Sequence, residues 1–225
     1  MTSDLHGCFD QYSVLLKTLP LQPDDTLYVL GNIVDRGEQS FEIIRDISER
    51  KNIIALQGNH DRDAAFFLKT YGMPNNGYDA ERFLPEFRTW LSDGGAVTFE
   101  RFLALEEREQ WTVISFLKSL PLYQRITVNG KNFFLAHTVP EKGKLMRPEL
   151  CTCEDYLLGT PEYGKCYYDD VFLVTGHTPT GLIDPASKGR IWKGNNHIAV
   201  DCGAVFGQPL GCICLDTMEE FYIGA

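Results

Sequence analysis

Short apolar runs alternate with an amphipathic segment in the first third of the chain. Residues 27–30 and residues 52–57 are apolar runs that each end at a glycine, which is typical of buried strands. Between them, residues 40–50 carry apolar side chains at helical spacing behind a serine: Phe41, Ile43, Ile44 and Ile47. The succession of strand, helix and strand predicts a βαβ unit.

Helical periodicity dominates the middle of the chain, from about residue 62 to residue 118. Its large apolar side chains are predicted to lie in the core: Phe66, Phe67, Phe83, Phe87, Trp90, Phe99, Phe102, Trp111 and Phe116. Strand-like patterns return at residues 123–128, 132–136, 170–175, 197–200 and 210–216. Because no repeat, low-complexity tract or linker interrupts the pattern, we expect a single α/β domain over residues 1–225.

The chain is acidic. Its 225 residues include 21 Lys and Arg against 31 Asp and Glu, which gives a formal net charge of −10. With 44% hydrophobic and 23% charged residues, the composition is that of a folded globular protein rather than a disordered one. The negative charge argues against a nucleic-acid or an anionic-membrane partner, since both polyanions would be repelled. A chain of this charge that acts on phosphates needs local positive charge, from Arg, Lys or metal ions.

The sequence shows neither a targeting segment nor a membrane-spanning run, and its seven cysteines are scattered without a CxxC pair. The odd number and the spacing argue against a disulfide scaffold and against a structural zinc site. We therefore expect reduced, partly buried thiols and a cytoplasmic location. The pattern leaves the oligomeric state open.

Polar side chains that can bind metal ions follow the predicted strands. Three glycine-containing turns carry Asp, Asn or His, at residues 3–7, 31–37 and 58–61, and the second and third directly follow an apolar run. Two later histidines, His137 and His177, each come straight after a β run. Loops after strands are where α/β sheets bind ligands. Carboxylate, amide and imidazole donors suit Mn, Fe, Zn or similar divalent ions.

Each of these motifs is ambiguous when taken alone. A histidine after a strand is more often a hydrogen-bonded core or surface residue than a metal ligand, and Asn59 or Asp35 alone would indicate a turn. The set is more informative than its members, because four of the five histidines fall within these strand-end motifs. Asp4 and His6 also lie on the same face of an extended segment, so that both can reach one ion.

The ordered motifs DLHG, GNIVDRG, GNHD, AHT and GHTP resemble those of the calcineurin-like metallophosphoesterases, and within them the bacterial or phage-type branch of the phosphoprotein phosphatases. The motifs run from Asp4 to His177, and the tail from Asp201 to Asp216 resembles the closing strands of bacterial members. The resemblance implies a four-layer fold, a β-sandwich flanked by helices, with two divalent metal ions at the edge of the sheets. Mn is the expected metal, and Fe, Zn, Ni and Co are alternatives.

The resemblance also implies a role for each matching residue. The implied metal ligands are Asp4 and His6 for the first ion, Asn32 for the bridging position, and Asn59, His137 and His177 for the second ion. His60 would protonate the leaving group, Asp35 would orient His60, and Arg36 would hold the phosphoryl oxygens. The two metal ions would activate a water molecule as the nucleophile.

Three departures from the family pattern accompany these matches. Asn32, natural or introduced, replaces a bridging Asp, which predicts weaker metal binding. Thr160 stands where bacterial relatives are expected to carry a second phosphate-binding arginine, a role that Arg147 could take from another loop. Only three residues precede Asp4, so either the true start lies upstream or the sheet has lost an element.

Three functions are open at this point. The favoured one is a metal-dependent phosphomonoesterase that acts on a phosphorylated protein or a small phosphoester, weakened by Asn32 and Thr160. The alternatives are a degenerate member that binds a phosphorylated ligand without turnover, and a hydrolase of dinucleoside polyphosphates. Retention of His60 and Asp35 favours an enzyme, because a pure binder has no need for a leaving-group acid. Residues 90–98 resemble the protein-phosphatase-like branch, although an amphipathic helix closed by a Gly-Gly turn explains them equally well.

Overall fold

The computed structural model describes residues 1–72 and 80–224, and it confirms the predicted βαβ unit. Strand β1 (Leu27–Val29) pairs in parallel with β2 (Ile53–Ala55), and helix α2 (Ser40–Glu49) lies between them in the chain. Each strand is only three residues long, so the loops that carry the predicted motifs begin directly at the sheet.

The first residues of the chain extend this small sheet. Thr2 forms a parallel bridge with Val29, with hydrogen bonds of 3.0 Å from Thr2 N to Tyr28 O and of 2.9 Å from Leu30 N to Thr2 O. Asp4 therefore follows an extended segment that is already paired with β1.

Helices form the layer on the outer side of β1 and β2. They are α1 (Phe9–Thr18), α3 (Asn59–Gly72), α4 (Ala80–Trp90), a π-helical turn at Leu91–Gly95, α5 (Ala96–Leu103) and α6 (Glu107–Ser119), together with α2. The helix-rich middle of the chain is thus confirmed within the described residues. Helix α1 was not predicted, and it packs against α2 and the last strand.

Most aromatic residues predicted for the core of this region pack together. Phe67, Trp90 and Phe102 are buried, and five more are partly buried against the same cluster: Phe66, Phe83, Phe87, Phe99 and Phe116. The prediction is wrong for Trp111, whose exposed fraction is 40%. Helix α6 faces the core with a stripe that contains Val113, Ile114 and Leu117, and Trp111 lies outside that stripe.

The second half of the chain forms a five-stranded sheet in the order β3, β4, β5, β7, β6. Its strands are β3 (Tyr123–Val128), β4 (Lys131–Ala136), β5 (Val171–Thr175), β6 (Trp192–Gly194) and β7 (His197–Ala199). Four of these were predicted to within one residue at each end, and β6 was not. Because β4, β5 and β7 are parallel, their carboxyl ends lie at one edge of the sheet.

A two-stranded antiparallel sheet closes the chain, with β8 (Leu210–Ile213) paired to β9 (Glu220–Ile223). The predicted strand over residues 210–216 is too long, because the chain turns at residues 215–217 and returns as β9. Three short helices lie in the connections: α7 (Lys142–Leu145), α8 (Cys153–Leu157) and α9 (Thr180–Ile183).

Alternate residues of β4 face two different cores. Phe133 and Leu135 pack between the two halves of the β-structure, and Phe134 and Ala136 pack on the opposite face, where Tyr156 of α8 covers them. A third cluster packs helices α1–α6 against β1 and β2. The result is the predicted arrangement of sheets packed together and covered by helices on both outer sides. In the part of the chain that the structure describes, no helix has the length and apolar character needed to cross a membrane.

Candidate metal centre and active site

The strand-end turns bring the predicted site residues together. The turn after β1 lies against the first segment of the chain, where Asp4 N donates to Gly31 O at 3.0 Å and His6 N donates to Asn32 O at 2.8 Å. The turn after β2 packs so tightly against it that a Cβ at Gly58 would lie 2.2 Å from Asn32 Oδ1. Only glycine at position 58 allows the GNHD turn to approach the GNIVDRG turn this closely.

Six candidate site residues have a left-handed backbone conformation. They are Asp4, His6, Asn32, Asp35, Arg36 and His177, with φ between 40° and 72°. They make up six of the ten non-glycine residues with positive φ in the described part of the chain. This conformation is unfavourable for most side chains and persists where the surrounding structure enforces it, often at functional sites.

The side chains predicted to hold the second metal ion, Asn59, His137 and His177, form one contact group, the second ligand group. His137 Nε2 lies 3.0 Å from Asn59 Oδ1 and 3.0 Å from His177 Nδ1. The other ring nitrogen of His137, Nδ1, donates to Leu30 O at 2.8 Å, so that Nε2 carries a lone pair. Burial lowers the pKa of His137 to about 4, which keeps the ring in the neutral form that binds metals.

A divalent cation fits the second ligand group. With the proton of His137 on Nδ1, its Nε2 and Asn59 Oδ1 are both acceptors 3.0 Å apart, an arrangement in which one cation can bind both atoms. Neutral imidazole and amide oxygen are donors suited to first-row divalent metals.

The side chains predicted to hold the first metal ion, Asp4, His6 and Asn32, are the first ligand group, and they already have protein partners. His6 Nδ1 donates to Val34 O at 2.8 Å, and its Nε2 accepts from Arg36 Nη1 at 2.9 Å. Asp4 Oδ1 accepts from Asn32 Nδ2 at 3.0 Å and lies 3.9 Å from His6 Nε2. Burial lowers the pKa of His6 to about 3, so this ring is neutral as well.

Asn32 makes the first ligand group a poorer fit for a cation. Its Oδ1 accepts a hydrogen bond from His60 N at 3.1 Å, which leaves the NH₂ group facing Asp4. An amide NH₂ has no lone pair to offer a metal ion. Among the described residues, no group of three or more His, Cys, Asp or Glu side chains is arranged to hold a metal. Each ligand group instead includes an amide, that of Asn32 or that of Asn59.

His60 and Asp35 form a buried hydrogen-bonded pair. His60 Nδ1 lies 2.8 Å from Asp35 Oδ2, and the exposed fractions of the two residues are 3% and 0%. Two further donors hold the carboxylate, since Trp90 Nε1 donates to Oδ2 at 2.8 Å and Thr98 Oγ1 donates to Oδ1 at 2.7 Å. These contacts fix the imidazole with Nδ1–H toward Asp35 and Nε2 toward the ligand groups.

Arg36 connects the first ligand group with the His60–Asp35 pair. Its Nη1 donates to His6 Nε2 and its Nη2 donates to His60 Nε2, both at 2.9 Å. The backbone N of Arg36 donates to Gly94 O at 2.9 Å, and Asp93 Oδ1 lies 3.4 Å from Nη2. The guanidinium is thus a local positive charge of the kind that an acidic chain needs to bind a phosphate.

Asp61 is a structural carboxylate of the site that the sequence analysis missed. It accepts hydrogen bonds from four backbone N–H groups, those of Asn32, Ile33, Val34 and Gly58. Burial raises its pKa to about 6, against the effect of these four donors. Asp61 therefore ties the turn after β1 to the turn after β2, and its place directly after His60 in the GNHD motif was the available signal.

Asp201 is a second buried carboxylate that the motifs did not single out. Burial and the nearby charge of Asp4 raise its pKa well above the ordinary value, while Arg36 acts in the opposite direction. Its Oδ1 accepts from Gly203 N at 2.9 Å, which ties the carboxylate to the turn that follows. The only sequence signal was its position at the start of the closing tail.

Thr160 and Arg147 lie apart from these contacts. Thr160 is exposed and follows Gly159, whose carbonyl accepts from Thr138 Oγ1 at 3.0 Å. Arg147 is exposed, and its Nε donates to Gly143 O at 3.2 Å within its own turn. Neither residue hydrogen-bonds a candidate site residue in residues 1–72 and 80–224. A role of either position in phosphate binding stays a prediction.

The fold and these turns define a class of protein. The model of the calcineurin-like phosphoesterase family matches residues 1–200. The chain therefore belongs to the calcineurin-like phosphoesterases, as its motifs predicted, and is a hydrolase that acts on phosphoester bonds. Members of this family generally use two divalent metal ions.

Curated relatives within the family carry more specific names. A Bacillus subtilis (strain 168) protein named bis(5'-nucleosyl)-tetraphosphatase PrpE (asymmetrical) is 28% identical over an alignment of 234 positions, which covers 92% of this chain and 86% of that protein. A symmetrical bis(5'-nucleosyl)-tetraphosphatase of Actinobacillus pleuropneumoniae is 41% identical over 63 residues, which cover 27% of this chain and 23% of that protein.

Solved structures share the fold at low sequence identity. A putative diadenosine tetraphosphatase superimposes with a TM-score of 0.68 at 18% identity, over 100% of this chain and 91% of that one. A protein serine/threonine phosphatase from Saccharomyces cerevisiae with similarity to human phosphatase PP5 has a TM-score of 0.57 at 14% identity, over 100% and 78% of the two chains. These likenesses confirm the predicted metallophosphoesterase fold.

Proposed function

We propose that the chain is a metal-dependent hydrolase of small phosphoric esters and anhydrides, with dinucleoside polyphosphates as its substrate class. The main support for this proposal is one observation: the guanidinium of Arg36 contacts Nε2 of both His6 and His60 at 2.9 Å. A phosphoryl group held by this guanidinium would lie beside a candidate metal ligand on one side and a candidate proton donor on the other. The names of relatives that match 92% of the chain supply the substrate class.

Each side chain has one task in this proposal. Arg36 binds phosphoryl oxygens through guanidinium N–H groups other than those it donates to His6 and His60. Protonation of His60 at Nε2 replaces the hydrogen bond that this nitrogen accepts from Arg36, and the imidazolium donates this proton to the leaving oxygen with Asp35 supporting its charge. When bound, the divalent metal ions supply positive charge and an activated water. The second ligand group holds the tighter ion, and Mn suits its imidazole and amide donors.

The preference for a phosphoprotein substrate rested on residues 90–98. Trp90 and Thr98 of this segment donate hydrogen bonds to Asp35, which a site of this kind needs with either class of substrate. The segment therefore no longer favours a protein substrate. The relatives matched over most of the chain are tetraphosphatases by name, and a protein phosphatase is matched through the fold alone. We therefore place dinucleoside polyphosphates ahead of phosphoproteins.

A comparison of substrates tests the proposal. The Mn-loaded protein would be assayed with diadenosine tetraphosphate, a phosphoserine peptide and p-nitrophenyl phosphate, and the nucleotide products would be separated by chromatography. We expect kcat/KM for the dinucleotide to exceed that for the peptide by at least about 10-fold, or 1.4 kcal/mol. Release of AMP with ATP would indicate asymmetrical cleavage, and release of two ADP would indicate symmetrical cleavage. A preference for the peptide would overturn the substrate class.

A His60→Asn variant is the control for the site. It should keep its metal content and lose turnover by roughly 10²- to 10⁴-fold, the usual effect of removing a general acid. p-Nitrophenyl phosphate should show the smaller loss, because its leaving group needs less protonation. If the metal-loaded wild-type protein binds nucleotides but turns over none of the three substrates, the chain is instead a binding member of the family.

A further inference from the structure

Phe206 is an exposed aromatic residue beside the candidate phosphate-binding residue. Its exposed fraction is 60%, and the guanidinium carbon of Arg36 lies 5.4 Å from the centroid of its ring. The same guanidinium contacts His6 and His60 at 2.9 Å. The ring therefore lies at the rim of the site, with most of its surface open to solvent.

The backbone around Phe206 is well held although the ring is exposed. Phe206 is the last residue of the 3₁₀ turn Ala204–Phe206, and glycines with left-handed backbone flank the turn, Gly203 with φ of 88° and Gly207 with φ of 75°. Phe206 N donates to Gly203 O at 2.9 Å, and the buried carboxylate of Asp201 accepts from Gly203 N at 2.9 Å. The turn therefore fixes the place where the side chain of Phe206 leaves the backbone.

The hydrophobic core does not account for an aromatic ring at this position. Phe206 belongs to none of the apolar clusters formed by the described residues. The contact with Arg36 uses one face of the ring and leaves other surface free to stack with a planar group. In a nucleotide, one sugar separates the base from the phosphate. A base attached to a phosphate that Arg36 binds is therefore within reach of a ring that lies directly over the guanidinium.

We propose that Phe206 is the stacking platform for a nucleobase of the substrate. The inference rests on the proposed function and deepens it, because Arg36 and the ligand groups recognise only the phosphate part of a nucleotide. Stacking on Phe206 selects nucleotides over phosphate compounds that lack an aromatic group. It tolerates any base, since every base has a π-face.

Equilibrium binding of AMP and of ribose 5-phosphate to the Mn-loaded protein tests this inference, since the two ligands differ only by the base. Phe206→Ala should weaken binding of AMP by about 10-fold or more and binding of ribose 5-phosphate by less than about 2-fold. Phe206→Trp should retain or strengthen the preference for AMP. Trp111→Ala is the matched control, because it removes an exposed aromatic residue from α6, away from the site. Melting curves should show all three variants folded.

The outcomes separate a stacking role from a structural one. If Phe206→Ala weakens both ligands equally, the ring acts by holding Arg36, and the inference is wrong. If neither affinity changes, it is wrong as well. A parallel assay with diadenosine tetraphosphate keeps the two proposals apart. If binding depends on the base but the dinucleotide is not hydrolysed, the proposed function is wrong and the stacking role of Phe206 stands. If the dinucleotide is hydrolysed and Phe206→Ala leaves KM unchanged, the stacking role alone is wrong.

Discussion

The side-chain amide of Asn32 distinguishes the two ligand groups. Its oxygen accepts from His60 N at 3.1 Å and its nitrogen donates to Asp4 Oδ1 at 3.0 Å. Reversal of the amide would place two donors against each other at His60 N, so the hydrogen bonds fix its orientation. A carboxylate in the same place would accept from His60 N with one oxygen and offer the other oxygen to a cation. It would also add the negative charge that reduces the repulsion between two dications.

We therefore expect Asn32→Asp to change the number of bound metal ions. Purified in Mn²⁺ and desalted, the chain with Asn32 should retain about one ion, and Asn32→Asp should retain about two. Elemental analysis and calorimetry measure both. Asn129→Asp adds the same charge at an exposed turn and is the matched control. Equal metal content in the wild type and in Asn32→Asp would show that this position is not the bridge.

Asp93 lies beside Arg36, the residue that we propose binds the phosphate. Its Oδ1 lies 3.4 Å from Arg36 Nη2, its Oδ2 lies 3.7 Å from His60 Nε2, and the exposed fraction of its side chain is 62%. An exposed carboxylate next to a guanidinium contributes little to stability and repels an anionic ligand. If Arg36 binds the phosphate as proposed, we expect Asp93 to weaken substrate binding and to contribute little to the free energy of unfolding.

Asp93→Asn should lower KM by about 2- to 5-fold with little change in kcat, which is the range expected for one exposed charge pair. The effect should shrink as salt is added, because ions screen exposed charges. Steady-state kinetics at low and high ionic strength measure it. Glu109→Gln, which removes an exposed charge paired with Arg45, is the control. A lower kcat with an unchanged KM would assign Asp93 a part in the chemical step instead.

At the scale of elements, the break between α4 and α5 supports the site. Trp90 ends α4 and Thr98 lies in the first turn of α5, and the π-helical turn between them carries Gly94 with φ of 105°. A Cβ at Gly94 would lie 2.5 Å from Arg36 Cγ, so only glycine fits there. Because of this break, Trp90 at the end of α4 and Thr98 at the start of α5 both donate hydrogen bonds to Asp35. The carbonyl of Gly94 accepts a hydrogen bond from the backbone N of Arg36.

Trp90→Phe tests whether Asp35 needs the hydrogen bond from Trp90, because it removes the indole N–H that donates to the carboxylate. The variant retains an aromatic ring next to Phe67, whose ring centroid lies 5.3 Å from that of Trp90 in the wild type. We expect a stability loss of about 1–3 kcal/mol, since a buried carboxylate loses one donor. Turnover should fall by roughly 10-fold, more on dinucleotides than on p-nitrophenyl phosphate, because His60 is less well oriented as an acid. Urea unfolding and kcat measure the two effects. Thr98→Ser is the control: it keeps the hydroxyl group that donates to Asp35, so its stability and turnover should remain close to those of the wild type. Wild-type turnover by Trp90→Phe would show that Asp35 does not need the Trp90 donor.

For the molecule as a whole, we expect the buried ring of His197 to make the fold sensitive to acid. The ring lies in the interior of the five-stranded sheet region, stacked on Tyr163 with 5.0 Å between centroids, and its Nε2 is 2.8 Å from Thr175 Oγ1. Its Nδ1 has no hydrogen-bond partner among the described residues. Burial lowers the pKa of His197 to about 4, because a charged ring in this place would lack solvation.

Stability should therefore fall as the pH drops from about 6.5 toward 4. In that range the unfolded chain binds a proton on His197 that the folded chain does not, which costs up to about 3 kcal/mol. His197→Gln keeps a polar group for Thr175 and removes the titrating ring. Urea unfolding of both proteins in chelator, from pH 7.5 to pH 4, should give a flatter pH dependence for the variant. Parallel curves would mean that His197 does not contribute to acid unfolding.

Most strands and helices, and the identity of the candidate site residues, could be predicted from the sequence. Apolar alternation and helical spacing are properties of neighbouring residues, so β3 and β4 were predicted almost to the residue. The motifs identified the family and nominated nine residues, and the structure joins them in one network of contacts of 3.1 Å or less. Short or isolated elements such as β6 carry too little pattern to be found this way.

The hydrogen-bond partners of these side chains could not be predicted from the sequence, because they depend on how distant segments pack. Trp90 and Thr98 lie 55 and 63 residues from Asp35 in sequence, yet both donate to its carboxylate. Phe206 lies over Arg36 from the far end of the chain. The exposure of the Trp111 side chain likewise depends on which side of α6 packs against the core. Contacts of this kind arise when distant segments pack, and the local pattern that specifies a helix or a strand carries no information about what lies across from it.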